Sequence, residues 1–387
     1  MKKIIVLLVL ICMTASAWAA LPRVELLPMR DLRMSVNVST VKGLFSWERD
    51  GKTTADVRSS LTHTYESKND MIELDWSSFN TVSLVADLDD FSMSDLIDSY
   101  SVFHDVTVMT FPLAGSPLLG FGGNLLAAIF DYGDTGLFAG VAPRVQFGRI
   151  YDASRHVKAY LAADLMDRPN ADLRYVINQM SQEGEYMKPL SWRTDMDYYR
   201  NIYRGFGGAV EPISVKYAFD SVVDTKNIGR GMSVSIYPEI YLIKVFDGTP
   251  IEGEINLTLA EFELKGSFAS SLWYHNKTKL YNSFEDLFDG FFSRWIELDT
   301  YHLSQNMGLT WFAMPLLRID QSLGLDFQKP FANDRETEIE LKTDVSYRLS
   351  PLATAWFSLS VISEDETSKL FEIDRVQADI GLSFRIL

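Results

Sequence analysis

The sequence predicts an all-β chain folded as a transmembrane antiparallel β-barrel of about 14 strands, within a range of roughly 12 to 16, with a few helical loop or plug segments. Three observations predict it. Long segments alternate between apolar and charged residues, tight turns connect some of them, and no later segment is apolar for the about 20 residues that a membrane-spanning helix needs.

In chain order, Lys2 and Lys3 precede an apolar run from Ile4 to Met13 and a small-residue stretch from Thr14 to Ala20. That is the layout of a secretory signal peptide, with Ala17, Trp18 and Ala19 as the cleavage pattern. We therefore expect residues 1–19 to be removed and residues 20–387 to form the barrel domain. The single cysteine, Cys12, would leave with the leader, which excludes a disulfide framework and a cysteine-ligated metal from the mature chain. Losing two of 36 basic residues against 52 acidic ones leaves a net charge of −18. Phosphate backbones would be repelled by such a surface, so no nucleic-acid partner is expected. Aromatic residues make up 13% of the chain, which excludes a disordered protein.

Weaker alternating segments fall near 32–45, 54–65, 72–88, 103–112, 119–131 and 136–150. Two more are read as strands from Val157, Ala159, Leu161, Ala163 and Leu165, and from Ile213, Val215, Tyr217 and Phe219. Further candidates lie near 231–246, 254–275 and 301–313. The pattern sharpens from Leu317 to Gln328, where Leu317, Ile319, Leu323, Leu325 and Phe327 oppose Arg318, Asp320, Ser322, Asp326 and Gln328, after a turn at Pro315. From Ile339 to Leu349 the odd positions are almost all apolar and the even ones are Glu340, Lys342, Asp344, Ser346 and Arg348. Period two with two distinct faces is a strand, since a helix would scramble it. Ser350 and Pro351 turn the chain into Ala353 to Val361, and the last strand sets Val376, Ala378, Ile380, Leu382, Phe384 and Ile386 against Gln377, Asp379, Gly381, Ser383 and Arg385. Its length matches the roughly 9 to 11 residues of a tilted membrane-crossing strand.

Three stretches break the alternation. Met93 to His104 reads as a short helical loop. Arg168 to Arg204 places Leu173, Val176, Ile177 and Met180 at helical spacing after Asn170. Ser283 to Asp299 begins with a capping serine and then presents Leu287, Phe288, Phe291, Phe292, Trp295 and Ile296. Such segments are either extracellular loops with local helices, an inward constriction or plug, or, for the aromatic one, an interfacial helix.

With its leader, cysteine-free mature chain, hairpins and terminal amphipathic strand, the chain resembles the bacterial outer-membrane β-barrel proteins. The resemblance implies outer-membrane lipid as surroundings and the barrel-assembly machinery as a partner in biogenesis. It departs from that class at its last residues, Phe384, Arg385, Ile386 and Leu387, where an aromatic usually stands at the end.

No constellation points to catalysis, a cofactor or a metal. Gly120, Phe121, Gly122, Gly123 and its repeat Gly205, Phe206, Gly207, Gly208 lack the Lys-Ser/Thr of a phosphate loop and suit backbone curvature covered by an aromatic. The histidines at 63, 104, 156, 275 and 302 have no metal-ligand spacing. Glu364, Asp365 and Glu366 read as a solvated loop rather than a cation site. His302 and Ser304 share a strand face, as in lipid-acting barrel hydrolases, but in phase with Asn306 and Thr310 on the polar side. The expected function is a channel or transporter for small solutes or hydrophobic compounds. Arg144, Lys158, Lys216, Arg318 and Arg348, with Asp320, Asp326, Glu340 and Asp344, would line its lumen. The alternatives are a structural or surface-interaction barrel, a lipid-acting hydrolase and a soluble periplasmic β protein.

Overall fold

The structure is a computed structural model that describes residues 31–48, 53–68, 72–87, 97–111, 119–131, 135–182, 196–207, 211–246, 252–284, 301–328, 336–365 and 373–385. The segments 1–30, 285–300 and 366–372 lie outside them, and with them the leader, the aromatic segment from Glu285 onward and Glu366.

The strands are β1 (Asp31–Glu48), β2 (Thr53–Lys68), β3 (Ile72–Asp87), β4 (Ile97–Thr110), β5 (Leu119–Asp131), β6 (Thr135–Asp152), β7 (Gly229–Val245), β8 (Glu252–Ala269), β9 (Leu272–Phe284), β10 (Tyr301–Met314), β11 (Leu317–Gln328), β12 (Glu336–Ser350), β13 (Ala353–Asp365) and β14 (Arg375–Arg385). Each pairs antiparallel with its sequence neighbours, and β1 pairs with β14 from Asn37↔Arg385 to Glu48↔Arg375, so the sheet closes on itself. Closure gives every interior backbone group a ladder partner and leaves no edge, which is what a lipid environment demands of a sheet.

The alternation read from sequence has the expected sense. In β14, Ile380 and Leu382 are exposed on the outside, and in β5 so are Phe121, Leu125 and Ile129. The opposite positions, such as Asp379 and Asn124, turn inward through the register. No helix among the described residues is long and apolar enough to cross a membrane. An apolar outer wall on a closed sheet inverts the usual inside-apolar rule, and lipid is the surrounding that makes it favourable.

Two expected strands are helices. Residues 157–165 belong to α1 (Ser154–Leu165), and 213–219 to α4 (Pro212–Ser221); between them lie α2 (Leu173–Met180), α3 (Met196–Ile202) and a 3-10 turn at Tyr203–Phe206. The difference has a physical cause: the buried side of α1 carries Val157, Ala159, Leu161, Ala162 and Ala163, which satisfy both periods. Pro212 starts α4, where its missing N–H costs nothing. The helix over Leu173, Val176, Ile177 and Met180 forms as expected, capped by the Asp172 carboxylate, which accepts from the Tyr175 N–H at 3.0 Å, rather than by Asn170. The segment 93–104, expected as a helical loop, already belongs to β4 from Ile97 onward. The 254–275 candidate is two strands, with Ser270 and Ser271 at the turn between β8 and β9.

The helices form an insert between β6 and β7. Its base is closed by the Ala153 N–H donating to the Ile228 carbonyl at 2.9 Å. Because neighbouring strands alternate direction, the β6–β7 connection lies at the same barrel end as the two-residue turns at 270–271, 315–316 and 351–352. Short turns mark the periplasmic end of such barrels. The insert carries its own apolar core, including Val157, Leu161, Val176, Ile202, Val215 and Phe219.

Candidate functional site

The inward wall is charged and internally paired. Glu261 on β8 is 3% exposed; its carboxylate accepts from the Tyr237 hydroxyl at 2.5 Å and lies 3.0 Å from the Lys277 ammonium and 3.7 Å from the Arg144 guanidinium. Arg144 also stacks over the Tyr237 ring at 4.1 Å from its centroid. Beside this group Lys279 donates to Glu239 at 3.1 Å, and Lys265 pairs with Glu263 at 2.8 Å. Register explains the gathering: Glu261 faces Lys279 and Glu263 faces Lys277 across β8 and β9, while Tyr237 falls on the same face after a bulge between Ser235 and Tyr237.

A further cation reaches the lumen through a backbone device. Phe147 of β6 points outward, so strict alternation would send Arg149 outward too. Gly148 adopts φ +78° between them. Arg149 is thereby buried inside, where its guanidinium meets the Glu73 carboxylate of β3 at 2.7 Å and stacks over Phe111 at 4.2 Å. A Cβ on Gly148 would lie 2.3 Å from the Met232 carbonyl oxygen, so both the space and the conformation require glycine. Phe111 also covers Gly120, whose absent Cβ leaves room for the ring, as expected of an aromatic over a bare strand. The second glycine group serves the insert instead: Gly205 packs against Val176, and Gly207 (φ +81°) ends the 3-10 turn.

Charges of both signs line the wall. Strands β6 to β9 supply Arg144, Arg149, Lys265, Lys277 and Lys279 together with Glu239, Glu261 and Glu263; β3 and β4 supply Glu73, Asp75 and Asp105; β11 and β12 supply Asp320, Asp326, Glu340 and Asp344 together with Arg318, Lys342 and Arg348. Lys342 pairs with Asp344 at 3.2 Å, and Ser360 donates to Glu340 at 2.6 Å. Of the residues expected to line the lumen, Arg144, Arg318, Arg348, Asp320, Asp326, Glu340 and Asp344 are on inward faces. Lys158 and Lys216 are not on the wall: they sit on α1 and α4, Lys158 5.9 Å from the Phe219 ring centroid and Lys216 paired with Asp220. The assignment failed with the strands it was built on.

Arg318 and Arg348 do more than line the wall, because they hold the insert. Arg318 grips Asp320 with Nε and Nη2 at 2.7 and 3.0 Å, and its Nη1 donates to the carbonyls of Asp224 and Lys226 at 3.1 and 3.0 Å. Arg348 donates to the Asp220 carbonyl at 3.0 Å and to Thr354 at 2.9 Å. The Val223 N–H donates to the Pro315 carbonyl at 2.9 Å. The core of the insert also includes Trp273 and Phe312, both on inward faces at the turn end, so the helices occupy part of the barrel mouth. The long segment therefore contacts the lumen wall and lies at the turn end, not among the loops of the opposite end. His302 also faces inward, stacked on Tyr281 at 5.0 Å between centroids, so the His302–Ser304 pair does not face lipid. No group of residues suited to a metal occurs among the described residues.

No family model matches the sequence, and no curated protein does. Solved structures similar in fold include an outer membrane channel from Pseudomonas putida F1, at 7% identity over 94% of this chain and 100% of that one, TM-score 0.38. Others are OccAB1 from Acinetobacter baumannii (9% identity, 92% and 97% of the two chains, TM-score 0.34) and the outer membrane protein Omp33 of the same organism (8%, 92% and 99%, TM-score 0.34).

Proposed function

We propose that the chain is an outer-membrane channel for small hydrophilic solutes, partly closed at its periplasmic mouth by the 153–228 insert. The carrying observation is the lumen wall, where charged residues of both signs from β3–β4, β6–β9 and β11–β12 turn inward while the outer wall is apolar. Charged groups of both signs lining a water-filled bore orient water and sort solutes by charge and size. A barrel of about 14 strands encloses more space than its own side chains fill, so a segment in the mouth sets the effective width. The variant carrying hydrophobic compounds depended on the aromatic segment 284–296, which lies almost wholly outside the described residues.

The test is single-channel recording in planar bilayers of the full chain beside a variant in which residues 154–227 are replaced by a short glycine-serine linker. Asp152 and Gly229 are paired neighbours, so a short link can close the gap. Native chain is expected to give small or infrequent steps and the variant larger, persistent ones. Silence from a folded, inserted variant would reject the channel and favour a structural or surface-interaction barrel, the second reading, which a segment filling the mouth also suits.

A further inference from the structure

Polar side chains interrupt the apolar outer wall halfway along β3 and β4. Ile72 of β3 and Val108 of β4 are exposed on the outside, so alternation sends Ser78, Asn80 and His104 outward as well. Ser78 and His104 stand opposite each other with no shift of register, and Ala127 of β5 lies on the other side of His104. His104 is exposed, and its ring stacks parallel to that of Trp76, 6.4 Å away between centroids. Asn80 donates to the Leu61 carbonyl at 3.4 Å and keeps an amide oxygen and a second N–H to offer. Apolar residues flank this island along the strands: Leu74 on β3, Val102 and Val106 on β4, and the exposed Leu125 and Ile129 on either side of Ala127. We propose that a second copy of this chain covers the island, forming a two-fold symmetric dimer in the membrane through the outer wall of β3 and β4.

Depth excludes a lipid headgroup as the partner. His104 is the eighth of the 14 residues of β4 and Ser78 the seventh of the 16 of β3, so the island lies near the middle of the hydrocarbon. Acyl chains offer no hydrogen bond there, and polar side chains within a membrane face protein or enclosed water. Chemistry selects a second copy. Hydroxyl, amide and imidazole each both donate and accept, so the patch is complementary to itself, as contact about a two-fold axis demands. His104 of each copy then answers Ser78 or Asn80 of the other, and no like charges meet. The small Ser78 and Ala127 let the second wall approach closely, as small residues do where proteins pack within a membrane. A second polar pair on the outer wall, Gln305 and Asn276, differs: its members bond each other at 3.4 Å within the chain.

The experiment measures distances between copies. Ala127→Cys is made in a Cys12→Ser background, so that the introduced thiol is the only one. The full chain is labelled with a nitroxide while unfolded in urea, folded into phosphatidylcholine vesicles at low protein density, and read by double electron–electron resonance. Ala127→Cys should give one short, defined distance. Leu341→Cys, also exposed in mid-strand but on β12 across the barrel, should give a much longer one or none. Adding His104→Leu and Asn80→Leu to the first variant should lower the association constant about tenfold, the scale of hydrogen bonds lost at an interface in lipid. Heat-modifiable mobility on gels checks that the barrel still folds. Featureless decay at both positions overturns the dimer, and the same short distance at both overturns the assigned face. An association constant unchanged by the leucines overturns the role of the island. Native mass spectrometry of the unsubstituted chain should give two copies, and a single copy overturns the proposal without recourse to any variant. None of these outcomes depends on conductance, so the channel can fail while the dimer stands.

Discussion

Replacing Arg318 by methionine should release the insert from the wall while leaving the barrel folded. The methionine stem keeps most of the apolar contact and removes four hydrogen bonds, two to Asp320 and two to the Asp224 and Lys226 carbonyls. Only the last two hold the insert. Bonds from a charged donor contribute about 1.5–3 kcal/mol each when buried, and the Asp224 contact is exposed, so about 2–3 kcal/mol of docking energy is at stake. That corresponds to a roughly 30- to 150-fold rise in the undocked fraction. Asp320 loses its cation but keeps the Thr310 hydroxyl at 2.5 Å, so Arg318→Met/Asp320→Asn serves as the variant without an unpaired acid. The assay is hydrogen exchange of the α4 and Asp224–Ile228 amides, read against β11 and β12 amides in the same sample. Exchange of the insert should rise by the stated factor with the strands unchanged. Unaltered insert exchange in both variants would refute the idea that these carbonyl contacts dock it, and equal acceleration of insert and strands would show that Arg318 supports the barrel instead.

Glu261→Gln should shift the reversal potential toward anions, since it leaves Arg144 and Lys277 without their shared acid. It should also cost about 1–3 kcal/mol in urea unfolding, less than the ~3–5 of a fully buried pair because Lys277 is half exposed. Gly148→Ala should cost at least about 1–2 kcal/mol from the left-handed backbone alone, and expel Arg149 from Glu73, whereas Gly324→Ala, with nothing nearer than 3.6 Å, should fold normally; heat-modifiable mobility on gels compares them. Leu125→Arg, at the middle of β5 on the outer wall, should destabilise the inserted barrel by about 2–4 kcal/mol, as a cation at the bilayer midplane does. The same unfolding titration in lipid vesicles reads it, and a neutral effect would deny that this face meets lipid.

What sequence reveals here follows from where two environments meet. β12 and β14 are legible because lipid lies on one side and water on the other, and each residue declares its side. β9 was merged with β8 because its outward positions include Asn276 and Thr278, which blur the apolar face. α1 and α4 read as strands because Ala159 and Ala163 fall in phase with either period, and because the exposed sides of the helices carry the apolar Leu165, Ile213 and Tyr217, which blur the polar face that would fix it. The charged lining was legible in β11 and β12, where each cation or acid follows strict alternation. Arg149 was not, because the positive φ of Gly148 breaks the alternation, and only a glycine in a strand interior hints at it. The docking of the insert was hidden for a different reason: arginine side chains meet backbone carbonyls, and every residue has a carbonyl.

Two of the arginines that hold the insert also line the lumen, and this couples the width of the mouth to its charge. With the insert docked, Arg318 is divided between Asp320 and two carbonyls, and Arg348 is spent on the Asp220 carbonyl and on Thr354. Undocking would return both guanidinium groups to water at the narrow end, next to Asp320 and the short turns. The mouth would then widen and gain accessible positive charge in one step. A solute anion arriving there would meet donors that the insert had occupied, and its binding would compete with redocking. On the proposed channel reading a single equilibrium would govern both permeability and selectivity, and an anion bound in the mouth would push it toward the undocked state.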